Sequence, residues 1–172
     1  LRAFLKAVTE TADEAGVPPW VFVPLFQFLR ERSRRASRAI QSRYGVSVPP
    51  MRTTAHAGED FIHLLTGLRY IDETIECFDL REGDRLGHAL ALRIDPVDWC
   101  RRAGPTTISL HDRLFDLVWE WTVRDRAFQA GLSDRMQFIE YEIQQLAHRL
   151  YASTDEVPGI FELAQLMKDL RH

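Results

Sequence analysis

The chain has 172 residues, a formal net charge of −3 and 45% hydrophobic residues. That is enough for an ordinary domain with a core, and short of the roughly 250 residues of a full eight-fold barrel. A net acidic chain carries no overall nucleic-acid signature, and no apolar run reaches membrane-spanning length, so a membrane partner is not expected.

In chain order, residues 1–15 read as an amphipathic helix with Phe4, Leu5, Val8, Thr11 and Ala12 on one face and Gly16 as its stop. Pro18-Pro19 punctuates the chain, with Pro19 suited to a first helical turn. Residues 20–28 mix strand-like and helix-like signals. Pro24 argues against a central strand, and the pattern favours a helix from about Pro24 to Arg43. On it, Arg30, Arg34 and Arg38 recur at helical spacing among Arg32, Arg35 and Arg43. Such a run reads either as a solvated face, the commoner case, or as a phosphate-contacting stripe for a nucleotide, RNA or a neighbouring subunit. Twenty arginines to two lysines also fit genome base composition.

Gly45 closes this helix and residues 46–50 form a linker. A strand is predicted over Met51–His56, a helix over Phe61–Phe78, a turn over Arg81–Asp84 and a second strand over Arg85–Leu92. Strand, helix and strand make one βαβ unit, and ligands bind at the carboxyl ends of such strands. Arg69, Asp72, Glu73 and Glu76 have ion-pair spacing for an exposed helix face. Asp84 and Arg85 read as an ion pair fixing the turn, and His63 as a structural residue at a helix start. Beyond Asp95-Pro96 the chain reads as nearly all α. A short helix spans Val97–Ala103, a long apolar one Leu114–Ala130 with Phe128 in its stripe and Gly131 as its cap, another runs from Ser133 or Asp134 to Tyr151, and the last spans Ile160–Leu170. Ser109 or Asp112 reads as a helix cap rather than a catalytic group. Cys77 and Cys100 have neither metal nor redox spacing, and there is no secretory segment, which predicts a reduced, cytoplasmic protein.

His56-Ala57-Gly58-Glu59 and Arg85-Leu86-Gly87-His88 resemble two signature segments of the adenosine deaminases, a branch of the metal-dependent amidohydrolases. Gly58 to Arg69 is closest to the deaminase-like subunits of bacterial anti-phage systems that act on adenine nucleotides or RNA. The resemblance covers roughly residues 50–95. It implies a (β/α)8 barrel, Zn2+ as cofactor, and hydrolysis of the 6-amino group of adenosine to give inosine and ammonia. By it His56 is a zinc ligand, Glu59 the proton donor to the purine ring, His88 the contact to the zinc-bound water, and Gly58 part of the substrate-binding turn. Deamination needs such a set: a metal to supply hydroxide near neutral pH, and an acid to protonate the ring nitrogen.

The family's His-x-His zinc pair and its late Asp-Asp pair do not occur here, and Ala89 stands where a glycine is usual. Leu1-Arg2-Ala3-Phe4-Leu5 reads as mid-helix, and the end, Leu166 to His172, stops with no capping glycine or proline. The expectation is therefore a piece of a larger enzyme, inactive alone, which need not retain Zn2+. The expected fold class is α/β and helix-rich: one βαβ segment of a partial amidohydrolase barrel over 49–95, a helical segment over 1–48 and a helical insertion over 96–172. The expected partners are a purine nucleoside or nucleotide substrate, RNA with weaker support, and a homo-oligomer formed through the helical segments. A second reading makes the chain a catalytically incomplete deaminase-like module that serves as an assembly or scaffold element.

Overall fold

The computed structural model describes residues 17–127, 133–154 and 156–171. The predicted helix over 1–15 with its Gly16 stop, Phe128 and the Gly131 cap lie outside the described residues. The chain is α/β and helix-rich, with one two-stranded parallel sheet among the described residues. It divides into two compact units. The first takes in the residues up to Phe61, then Tyr70–Arg93 and Arg171; the second takes in Ile62–Arg69 and Ile94–Leu170.

The first unit begins with a 3-10 turn, Pro19–Phe22, and α1, Val23–Tyr44. Pro24 sits in the first turn of α1, where its missing N–H costs nothing, which resolves the mixed signal of residues 20–28 in favour of helix. Gly45 ends α1 at φ +68°, and its N–H donates to the Gln41 carbonyl at 2.9 Å. Val23, Ala55, Cys77 and Phe78 form the buried core, with Phe26 stacked on Phe78 at 3.9 Å between ring centroids.

Strand β1 is Thr54–Ala57 and β2 is Arg85–His88, joined through α2, Leu64–Cys77. They pair in parallel, Thr54 opposite Arg85 and Ala57 opposite His88, so the expected βαβ connection is present. Ala55 and Ala57 are buried while Thr54 and His56 point outward, the period-two alternation of a half-buried strand. Both strands are shorter than expected. Strand β2 stops at His88 because His88 and Ala89 take positive φ, +59° and +46°, and a second 3-10 turn, Leu90–Arg93, replaces the predicted strand end.

The reading of Arg69 and Glu73 as members of an exposed ion-pair face is corrected. Both are buried. In the first unit the Arg171 guanidinium meets Glu76 Oε2 at 2.5 Å and Glu73 Oε1 at 3.6 Å. In the second unit Arg69 Nε donates to Asp116 Oδ1 at 2.7 Å and the Thr66 hydroxyl donates to Asp116 Oδ2 at 2.6 Å. Spacing along one helix says which charges can meet, not whether a distant segment covers them.

The second unit holds the start of α2 and four helices: α3, Pro96–Arg102; α4, Leu110–Ala127; α5, Ser133–Leu150; and α6, Ile160–Asp169. Asp95 Oδ1 accepts the Val97 and Asp98 amides at the start of α3. Ser109 Oγ accepts the Asp112 N–H at 3.0 Å and donates to its carboxylate at 2.7 Å, so Ser109 is a helix cap. Leu114, Leu117, Val118 and Trp121 of α4 pack on Ile139, Ile143, Leu146 and Ala147 of α5 and on Leu163 and Met167 of α6. The α5 stripe falls at positions 139, 143 and 146, one face of a 3.6-residue helix.

Candidate functional site

Strand β1 carries His56 one residue before its end, and β2 carries His88 at its end. The parallel register sets His56 against Gly87. That position has room only for glycine, because a Cβ on Gly87 would lie 2.0 Å from His56 Cδ2 and 2.6 Å from Nε2. After β1 the chain turns at Gly58, φ +75°, and this left-handed residue brings Glu59 back over the strand ends. His88 Nδ1 then lies 2.9 Å from Glu59 Oε2. The His56 and His88 rings approach edge to face, 4.9 Å between centroids.

Backbone hydrogen bonds hold this corner. The Ala89 N–H donates to the carbonyls of Ala57 and Gly87, and the Ala91 N–H donates to Gly58 O at 2.9 Å. His88 is therefore locked in a left-handed conformation that costs a non-glycine residue roughly 1–3 kcal/mol. Such strain is kept where neighbouring contacts over-determine it, and here it aims the imidazole at Glu59.

One ligand atom each of His56, Glu59 and His88 lies within 4.8 Å of the others; both histidines are exposed and Glu59 is half-buried. The resemblance had assigned these three side chains to one site, and they do converge. Two imidazoles and a carboxylate match the donor set of hydrolytic zinc sites. Donors about 2.0–2.1 Å from a tetrahedral zinc stand roughly 3.3 Å apart. The donor chemistry fits a divalent metal while the spacing is loose, and the exposed imidazoles are the groups able to close it. At 2.9 Å, His88 Nδ1 and Glu59 Oε2 are within hydrogen-bond distance, which ties the two side chains together at the strand ends.

Beside His56 is a cavity of about 30 Å3, lined by Phe22, Tyr70, Thr74 and Phe78 among others. It has room for a water or two and not for a nucleoside.

Asp84 fixes the other end of the strands. Its Oδ1 accepts the Thr53 N–H at 2.7 Å, and its Oδ2 accepts the Arg81 N–H at 2.9 Å and Arg30 Nη2 at 2.7 Å. Burial alone would raise this carboxyl, but the Thr53 amide, the Arg30 guanidinium and the Arg81 amide outweigh it and hold it at about 2. The partner of Asp84 is thus Arg30, not the expected Arg85. Sequence reasoning missed this pair although a signal existed: Val23, Phe26 and Arg30 share one helical face, so Arg30 continues a core-facing stripe. His63 Nδ1 accepts the Leu65 N–H at 3.2 Å, which makes His63 a cap of α2.

No known family profile matches the chain, and no curated protein is significantly similar to it.

Proposed function

We propose that this chain carries part of the catalytic centre of an adenosine deaminase-like, zinc-dependent amidohydrolase, and that its βαβ unit is a segment of that enzyme's (β/α)8 barrel. The observation that carries the reading is the convergence of His56, Glu59 and His88 at the carboxyl ends of two parallel strands joined by a helix. In this reading His56 is a zinc ligand, and the further ligands come from strands outside this βαβ unit. When bound, zinc makes hydroxide available near neutral pH. Glu59 delivers a proton to the ring nitrogen as carbon six of the purine becomes tetrahedral. His88, 2.9 Å from the Glu59 carboxylate, contacts and orients the attacking water. Gly58 supplies the turn that lets Glu59 face the ring. The substrate is adenosine, an adenine nucleotide or adenine in RNA, and an anti-phage role follows the same resemblance.

The test is inosine formation by the full-length protein. Glu59→Ala should lower turnover of adenosine or AMP by about 10²–10⁴-fold, the usual worth of a positioned acid. Unchanged turnover would sink the assignment. An assembly role is favoured by a different observation, the exposed Phe138, Tyr141, Phe161 and Leu166 of the helical unit. It predicts that Tyr141→Ser shifts the oligomeric state in sedimentation while turnover per particle persists.

A further inference from the structure

The sequence singles out Arg30, Arg34 and Arg38 as a stripe, but the structure exposes a different one. Arg30 is spent on Asp84 and on the Phe78 carbonyl, and Arg34 is only half-exposed. Phe28, Arg32, Arg35 and Arg43 fall on the outward face, with Arg38 at its edge, and all are exposed. Helix α1 carries six arginines against a single glutamate, in a chain whose net charge is −3. Glu31 forms an ion pair with Arg35 at 2.6 Å, and its charge also reaches Arg38 and Arg34. Among the described residues, no acidic group lies within ion-pair distance of Arg32, Arg34, Arg38 or Arg43. These four are spread over roughly 17 Å of helix.

Two exposed aromatic rings accompany the charges. Arg32 lies over the Phe28 ring at 5.2 Å, and Arg43 over the Tyr44 ring at 5.5 Å. Phe28 is 56% and Tyr44 66% exposed. A merely solvated face gains nothing from exposing a phenyl and a phenol ring beside guanidinium groups. Cations that follow a phosphate backbone, alternating with flat rings on which bases stack, are the two components of single-strand recognition. An acidic protein surface would use the charges and leave the rings without a role.

We infer that the exposed side of α1 and its carboxyl end form a docking surface for single-stranded nucleic acid, with Arg32, Arg38 and Arg43 on phosphates and Phe28 and Tyr44 as stacking platforms. The inference is independent of the deaminase reading, and the probe keeps the two apart: oligouridine has no amino group to hydrolyse.

The experiment is fluorescence anisotropy of a labelled oligouridine of about 20 nucleotides, titrated with the protein between 50 and 200 mM salt. Three phosphate contacts predict a log–log salt slope of about −2 and a loss of affinity of about 20-fold over that range. The triple variant Arg32→Gln, Arg38→Gln, Arg43→Gln should flatten the slope to near zero. Circular dichroism on the same samples checks that α1 is still folded. Phe28→Ala with Tyr44→Ala should weaken binding by at least about fivefold with the slope unchanged. Absence of binding at 50 mM salt overturns the inference, as does a triple variant that is folded and keeps the wild-type slope. Indifference to the aromatic changes, with inorganic polyphosphate competing as well as oligouridine, also overturns it, by showing a surface for any polyanion.

Discussion

Gly87 lies directly against the His56 imidazole, so that one added methyl group would meet Cδ2 at 2.0 Å. The parallel register leaves neither residue another place, because His56 and Gly87 are paired across the sheet. Gly87→Ala should therefore turn the His56 ring away from Glu59 and His88 without unfolding the chain. The expected result is a loss of about 10- to 100-fold in affinity for Co2+ or Zn2+, the range seen when groups supporting a metal ligand are lost. Equilibrium dialysis measures it. Wild-type affinity in a folded Gly87→Ala variant would show that His56 is not a ligand.

The Asp84 carboxyl ties Arg30, the Thr53 amide and the Arg81 amide to the strand entry. It is 1% exposed and held at about 2, against an ordinary carboxyl value of about 3.9. A depressed folded value contributes stability above the unfolded value, lost as pH falls through the folded one. The contribution is about 2.5 kcal/mol at neutral pH. Urea denaturation should find Asp84→Asn less stable than wild type by about that amount at pH 7. The gap should close between about pH 4 and 2. A gap constant down to pH 2 would mean that the carboxylate charge contributes nothing.

What was legible in the sequence follows from the range of each interaction. Helix existence came through because α5 repeats its apolar residues at 139, 143 and 146, and because Gly45 and Ser109 act on their own neighbours. The βαβ unit and the approach of His56, Glu59 and His88 to one another were legible through short motifs. Strand β2 was overextended, since nothing in Ala89-Leu90-Ala91-Leu92 announces two left-handed residues. The ion pairs were hardest. Arg30 with Asp84, Arg69 with Asp116 and Arg171 with Glu76 join positions 54, 47 and 95 residues apart, beyond the reach of any local spacing rule.

The Arg69–Asp116 pair sits in the second unit with side chains 1% and 0% exposed. Burial pushes the Asp116 carboxyl up, while the Arg69 charge and hydrogen bonds from Thr66 and Arg69 pull against it. Asp116→Ala leaves the Arg69 charge buried without this carboxylate, which should cost about 3–5 kcal/mol. Replacing both with apolar residues, Arg69→Met with Asp116→Leu, should recover most of that, since a buried pair gains little over well-packed hydrophobic side chains. Thermal denaturation of the three variants checks this. A double variant as unstable as Asp116→Ala would show that the pair is worth more than its desolvation.

Cys77 and Cys100 differ in environment. Burial, reinforced by the Glu73 charge, pushes the Cys77 thiol up to about 12, so almost no thiolate forms near neutral pH. Cys100 is exposed on α3. Only the thiolate attacks a disulfide reagent, so reactivity should split between the two. At pH 8 one thiol per chain should react with Ellman's reagent within minutes, and the second only as the first unit opens. In urea both should react at once. The slow phase should disappear in Cys77→Ala and persist in Cys100→Ala. Its rate also reports opening of the Val23, Ala55, Cys77 and Phe78 core that holds β1 in place. Two fast thiols in the native protein would mean that this core does not shield Cys77, and the strand pair that aligns His56 with Gly87 would lose its support.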